Sequence, residues 1–87
     1  MSLTNDTILT RVAASKNAIG DLPKKELLAN PTPGFVGEYN RTRNAFVELN
    51  PKLADSAPPE VLDQCRYVEL LAYYEQLQDL VGDVLRA

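Results

Sequence analysis

The C-terminal third of the chain, residues 58–87, reads PPEVLDQCRYVELLAYYEQLQDLVGDVLRA. Ser56 and the two prolines before Glu60 are typical of a helix start, and only Gly82 interrupts the helical pattern that follows. The pattern therefore predicts a helix over about residues 58–86. Such a helix would span roughly 40 Å at 1.5 Å per residue, which is long for a domain of this size. Whether it is straight, kinked or broken stays open.

Two apolar stripes run along this predicted helix and face in opposite directions. The first stripe is formed by Val61, Cys65, Val68 and Ala72. The second stripe is formed by Leu70, Tyr73, Tyr74, Leu77, Leu80, Val81, Val84 and Leu85. At about 100° per residue the two stripes lie about 170° apart. If the first stripe packs against the rest of the chain, the second one faces water.

This reversal predicts self-association through the second stripe. An exposed surface of that size is larger than the apolar patch that a soluble monomer usually tolerates. A two-fold contact between copies is the commonest way to cover it, so we expect a homodimer or a higher oligomer. In a competing arrangement the protein is a monomer: the first two helices cover the second stripe and the third helix packs on the other side.

Three further helices are predicted upstream, over about residues 33–49, 22–30 and 4–19. In the 33–49 segment one arc of the helix is apolar, comprising Phe35, Val36, Tyr39, Phe46, Val47 and Leu49. Gly34 and Gly37 weaken its first turn, so a loop up to residue 37 is the alternative. The 22–30 segment begins near Pro23 and ends before Pro31, because a residue that precedes proline avoids helical geometry.

The 4–19 segment carries its own start and stop signals. Thr4 is a suitable N-cap, and Leu3 and Ile8 match a hydrophobic staple. Gly20 is expected to end the helix in the left-handed conformation. No segment alternates as a strand does. The sequence therefore predicts one all-α domain, residues 1–87: a small helical bundle of three to four helices with a long C-terminal helix.

Composition argues against catalysis. The chain has no histidine, which removes the commonest general base and the commonest metal ligand. No phosphate-binding loop, C-x-x-C pair or serine nucleophile elbow is present. We therefore expect no enzyme, and no catalytic, cofactor-binding or metal-binding residues. Cys65 is the single cysteine, and we expect it to be a shielded, unreactive thiol within an apolar stripe.

The charge of the chain is divided unevenly. Residues 1–52 hold seven Lys and Arg against five Asp and Glu, whereas residues 53–87 hold two against seven. Glu75, Asp79 and Asp83 form an acidic ridge, either a solvated helix face or a contact for a basic protein partner. Because the net charge is −3, nucleic acid is not expected as a partner.

A helix-turn-helix is the alternative interpretation of residues 22–46. Asn40, Arg41, Arg43 and Asn44 are of types that contact bases and phosphates. A small DNA-binding regulator dimerised by its last helix would result. Arg43 lies within the apolar arc, so it either reaches water along the edge of that arc or pairs with a carboxylate such as Glu69.

Location and function follow from these patterns. The apolar runs are too short to cross a bilayer, and Met1–Thr10 does not resemble a signal peptide. Together with a single cysteine, this predicts a cytoplasmic protein that does not bind membranes. The favoured function is a non-catalytic protein-interaction or assembly module that self-associates through its C-terminal helix, and the DNA-binding regulator is the alternative.

Overall fold

A computed structural model describes residues 4–62 and 65–87. It contains three α-helices, α1 (Asn5–Gly20), α2 (Pro33–Leu49) and α3 (Tyr67–Arg86). Two 3₁₀ turns, Glu26–Leu28 and Pro51–Leu53, follow α1 and α2 respectively, and no strand occurs among the described residues. The prediction of a small all-α bundle with a long C-terminal helix is confirmed.

The core lies between α1 and α3, with α2 packed across both helices. Nine large apolar side chains are almost completely buried there: Ile8, Val12 and Ile19 of α1, Tyr39 and Phe46 of α2, and Leu70, Tyr74, Leu77 and Val81 of α3. The α3 residues recur at intervals of four, three and four, which places them on one face of the helix. Burying each large side chain contributes about 1.5–3 kcal/mol relative to exposure.

Helix α1 begins as predicted but ends differently. The Oγ1 atom of Thr4 accepts a hydrogen bond from the Thr7 amide at 3.2 Å, which confirms the N-cap. Gly20 is the last helical residue, and no described glycine has positive φ, so the predicted left-handed terminator is wrong. Asp21 ends the helix instead, with its N–H donating to the Asn17 carbonyl. The predicted staple includes Leu3, which lies outside the described residues.

Helix α2 has the predicted bounds and is helical from Pro33 onward, so the alternative of a loop through residue 37 is wrong. The predicted helix over residues 22–30 does not form: only the single turn Glu26–Leu28 is present. Pro23 and Pro31 bound a segment too short to offset the cost of helix nucleation. Ala29 is already extended, which continues the chain toward Pro31.

The predicted helix over residues 58–86 is wrong at its start, because α3 begins only at Tyr67. Residues 58–62 are not helical, and positions 63 and 64 lie outside the described residues. The Tyr67 amide donates to the Ala29 carbonyl at 3.0 Å, and the Glu69 carboxylate accepts from the Arg66 amide at 3.1 Å. These contacts fix the start of α3 after the prolines that were expected to begin it.

The first apolar stripe therefore does not exist as a helix face. Val61 and Cys65 are buried, but from a segment that precedes α3. Val68 and Ala72 lie on α3 and are exposed. The apparent reversal of the apolar face arose from projecting Val61 and Cys65 onto a helix that begins only at Tyr67.

Candidate functional site

The second stripe, which is the predicted interface, lies largely inside the chain. Leu70, Tyr74, Leu77 and Val81 are fully buried, and α1 is the main element packed against α3. Tyr73, Leu80 and Val84 are partly buried, and Leu85 is 39% exposed. The premise that this stripe faces water is therefore wrong, because α1 covers it as in the competing monomeric arrangement. The exposed part of this stripe is limited to Leu85 and the edges of Tyr73, Leu80 and Val84.

The acidic ridge of Glu75, Asp79 and Asp83 lies on the outward side of α3, and all three side chains are exposed. Asp83 forms an ion pair with Arg86, one turn further along. Within the described part of the chain, no group of three or more His, Cys, Asp or Glu side chains is arranged to hold a metal ion. The ridge is thus a solvent-exposed helix face.

The most exposed large apolar side chains lie elsewhere. Leu62 is 83% exposed, Leu28 is 60% exposed and Val68 is 42% exposed. The hydrogen bond from Tyr67 to Ala29 joins the start of α3 to the first 3₁₀ turn, which brings Leu28 and Val68 to the same end of the molecule. This end therefore concentrates apolar surface that the chain does not bury.

An open groove lies beside Leu62. Its volume is about 700 Å³, and it is lined by Asn30, Pro31, Pro33, Val36, Gly37, Asn40 and Leu62. The first two turns of α2 and the loop before them form most of the lining, and Leu62 completes it. The walls are mainly proline and aliphatic side chains, with two asparagine side chains as polar groups. A smaller cavity of about 290 Å³ lies on another side of α2, beside Ser15 and Phe35.

The strap, which we define as residues 58–62, crosses α2 without regular secondary structure. Asn40 forms two bonds with the Val61 backbone: its Oδ1 accepts from the amide at 2.9 Å, and its Nδ2 donates to the carbonyl at 3.0 Å. The Tyr39 hydroxyl donates to the Pro59 carbonyl at 2.8 Å. Arg43 donates from Nε to the Pro58 carbonyl at 2.9 Å. Three side chains of one helix thus replace the backbone partners that the strap would have in a helix.

These bonds also settle the role of Arg43. Its side chain is 18% exposed and its guanidinium lies 3.7 Å from the Glu60 carboxylate. Arg43 therefore neither extends freely to water nor pairs with Glu69. Of the four residues proposed to contact DNA, Asn40 and Arg43 hold the strap, and Arg41 pairs with Glu38 at 3.1 Å. The first helix of the proposed helix-turn-helix is reduced to one 3₁₀ turn.

Sequence reasoning missed this arrangement, although a signal was present. Pro58 and Pro59 have no N–H, so their part of the chain offers carbonyl acceptors and no backbone donor. Tyr39, Asn40 and Arg43 are donors spaced within about one helical turn, so they can reach one segment. The sequence could not show which segment they reach.

Tyr39, which binds the strap, and Tyr74 are both buried in the core. Burial raises the pKa of the Tyr39 hydroxyl well above its ordinary value, and the nearby Arg43 only partly opposes this shift. Burial also raises the pKa of Tyr74. The rings of Tyr39 and Tyr74 pack edge to face, with centroids 5.2 Å apart. These phenols belong to the core and provide no reactive oxygen at neutral pH.

Cys65 is 8% exposed, which confirms that it is shielded. Burial raises the pKa of its thiol, and the Glu69 carboxylate raises it further. Since the thiolate is the nucleophilic form, both effects oppose reactivity. The predicted cause, a stripe shared with Val68 and Ala72, is wrong because those two residues are exposed on α3.

No known protein family matches the chain, and no curated protein or solved structure is significantly similar to it. Within residues 4–62 and 65–87, no helix has both the length and the apolar character needed to cross a membrane.

Proposed function

We propose that this chain is a non-catalytic protein-interaction module that self-associates through Leu62 and the groove beside it. The observation that carries the proposal is the 83% exposure of Leu62 next to an open, mainly apolar groove. The proposed contact takes the place of the second stripe of α3, most of which is buried against the rest of the chain. Leu85 and the exposed edges of Tyr73, Leu80 and Val84 are left as secondary contacts.

A projecting side chain next to a groove makes the surface complementary to itself. A two-fold axis beside Leu62 would place the leucine of each copy in the groove of the other, which is the commonest symmetry of soluble oligomers. Burying one leucine contributes about 1.5–3 kcal/mol before the entropy of association is subtracted. The nearby Leu28 and Val68 would extend the contact.

A non-catalytic role fits the chemistry that the chain carries. It has no histidine, and burial holds the Cys65 thiol and the Tyr39 and Tyr74 hydroxyls in their neutral forms. The proposal retains the cytoplasmic location expected from the sequence. It also retains the acidic ridge of Glu75, Asp79 and Asp83 as a second contact, suited to a basic protein partner.

Size-exclusion chromatography with light scattering tests the proposal at tens of micromolar. We expect a mass twice the 9.6 kDa of the chain, and a return to 9.6 kDa for Leu62→Asp with unchanged helicity. Leu49→Asp is the matched control, because Leu49 is 41% exposed and lies about 20 Å along α2 from Val36. It should leave the mass doubled.

Two outcomes would contradict the proposal. A wild-type mass of 9.6 kDa at that concentration would exclude self-association. A doubled mass that persists in Leu62→Asp would show that a different surface joins the copies. A mobility shift with DNA would instead support the regulator, which no specific contact in the fold now favours.

A further inference from the structure

We propose that the strap is a latch: residues 58–62 detach from α2 as a unit while the three helices stay packed. The proposal rests on how the strap is attached. Its four hydrogen bonds to the rest of the protein all come from the side chains of Tyr39, Asn40 and Arg43. Among the described residues, no backbone-to-backbone hydrogen bond involves the strap.

The helices are held together in a different way. Ile8, Val12 and Ile19 of α1 pack in the core with α3, and each is completely buried. The strap adds only Pro58 and Val61 to the buried set, and its other side chains are exposed. Opening the strap therefore breaks four side-chain hydrogen bonds and the ion pair of Arg43 with Glu60, and it uncovers Pro58 and Val61. Separating α1 from α3 uncovers the core. Openings that uncover little apolar surface are the ones that occur below global unfolding.

The open state would present a binding surface of defined chemistry. The Tyr39 hydroxyl, the Asn40 amide and the Arg43 guanidinium would then be free, spaced to bind the carbonyls of a non-helical, proline-containing segment such as the strap itself. In the closed state the strap occupies that row. Asn40 and Leu62 also line the groove, so opening of the strap would remove one of its walls and with it the contact between copies. The loss of that contact rests on the proposed function, whereas the opening of the strap does not.

Native-state hydrogen exchange tests the latch, with the Val61 amide reporting on the strap and the Leu77 amide on the core. The exchange rates are followed at increasing sub-denaturing guanidinium. We expect the Val61 amide to exchange through an opening with a small denaturant dependence, because little surface is uncovered. The Leu77 amide should exchange more slowly, and its exchange rate should show the larger guanidinium dependence that global unfolding has.

A core substitution distinguishes exchange through local opening of the strap from exchange through global unfolding. Val12→Ala destabilises the strap-closed and strap-open states equally, because both retain the contact of α1 with α3. The exchange rate of the Val61 amide should therefore stay within twofold of the wild-type rate. Leu77 exchange should accelerate roughly tenfold to a hundredfold, as large-to-small core changes do. Ile8→Val, a milder change at another buried position, serves if Val12→Ala fails to fold.

Equal acceleration of Val61 and Leu77 in either variant would overturn the latch, because it would mean that the strap leaves α2 only when the whole protein unfolds. The same measurement on Leu62→Asp, which removes the proposed contact between copies, keeps the two proposals separate. A latch that persists in this variant stands whether or not the protein self-associates.

Discussion

Replacing Asn40 by alanine should destabilise the fold by removing the two hydrogen bonds that hold Val61. A neutral hydrogen bond contributes about 0.5–1.5 kcal/mol net, so the two bonds together contribute about 1–3 kcal/mol. Alanine is also the better helix former in the middle of α2, by up to about 0.7 kcal/mol, and this gain offsets part of the loss. The measured effect of the substitution is the difference between these two terms.

Asn17→Ala is the matched control that isolates the helix-propensity term. Asn17 is exposed within α1, and within the described residues no hydrogen bond of its side chain occurs. This substitution should leave stability unchanged or raise it slightly. The free energies of unfolding of the two variants should therefore differ by about 1–3 kcal/mol, with Asn40→Ala the less stable.

Urea denaturation followed by circular dichroism measures both variants, and thermal unfolding provides a second reading. For a domain of this length each kcal/mol shifts Tm by about 4–8 °C. Equal stability of Asn40→Ala and Asn17→Ala would refute the reasoning. It would show that water or a neighbouring group replaces Asn40 at Val61 without cost, and that the strap does not depend on this side chain.

Three further predictions concern titration and nucleic acid. The Cys65 thiol should react slowly with a thiol reagent in the native protein and reach full rate only in denaturant or well above pH 8.5, because burial and Glu69 raise its pKa; rapid labelling at pH 7 would contradict this. Stability should begin to fall above about pH 8.5, where Cys65 ionises in the unfolded chain but not in the fold, and should fall more steeply above about pH 10, since Tyr39 and Tyr74 stay protonated in the fold but ionise near pH 10 when unfolded. Tyr74→Phe has no proton to lose and should reduce that slope, and an unchanged slope would contradict the assignment. DNA binding at physiological salt should be weak because the chain is net acidic, and a tight, sequence-dependent mobility shift would contradict this.

The sequence determined the helical class and the bounds of α2, because these depend on local physics. Thr32-Pro33 and Asn50-Pro51 bracket that helix with residues that favour its start and its end, and the 3.6-residue period between them is clear. The Thr4 cap of α1 was predictable for the same reason, since an N-cap bond joins residues three apart in sequence.

The tertiary structure alone decided the N-terminal boundary of α3, and with it the candidate site. Residues 56–60 carry a good local helix-start pattern, but Tyr39, Asn40 and Arg43 bind the backbone of residues 58–61 from about 20 positions earlier in the chain. Those long-range bonds satisfy the carbonyls that a helix would have satisfied, so the segment crosses α2 as a strap instead. The exposure of Leu62 and the packing of α1 over the α3 stripe were likewise decided by which distant elements meet. The local period of the sequence does not contain that information.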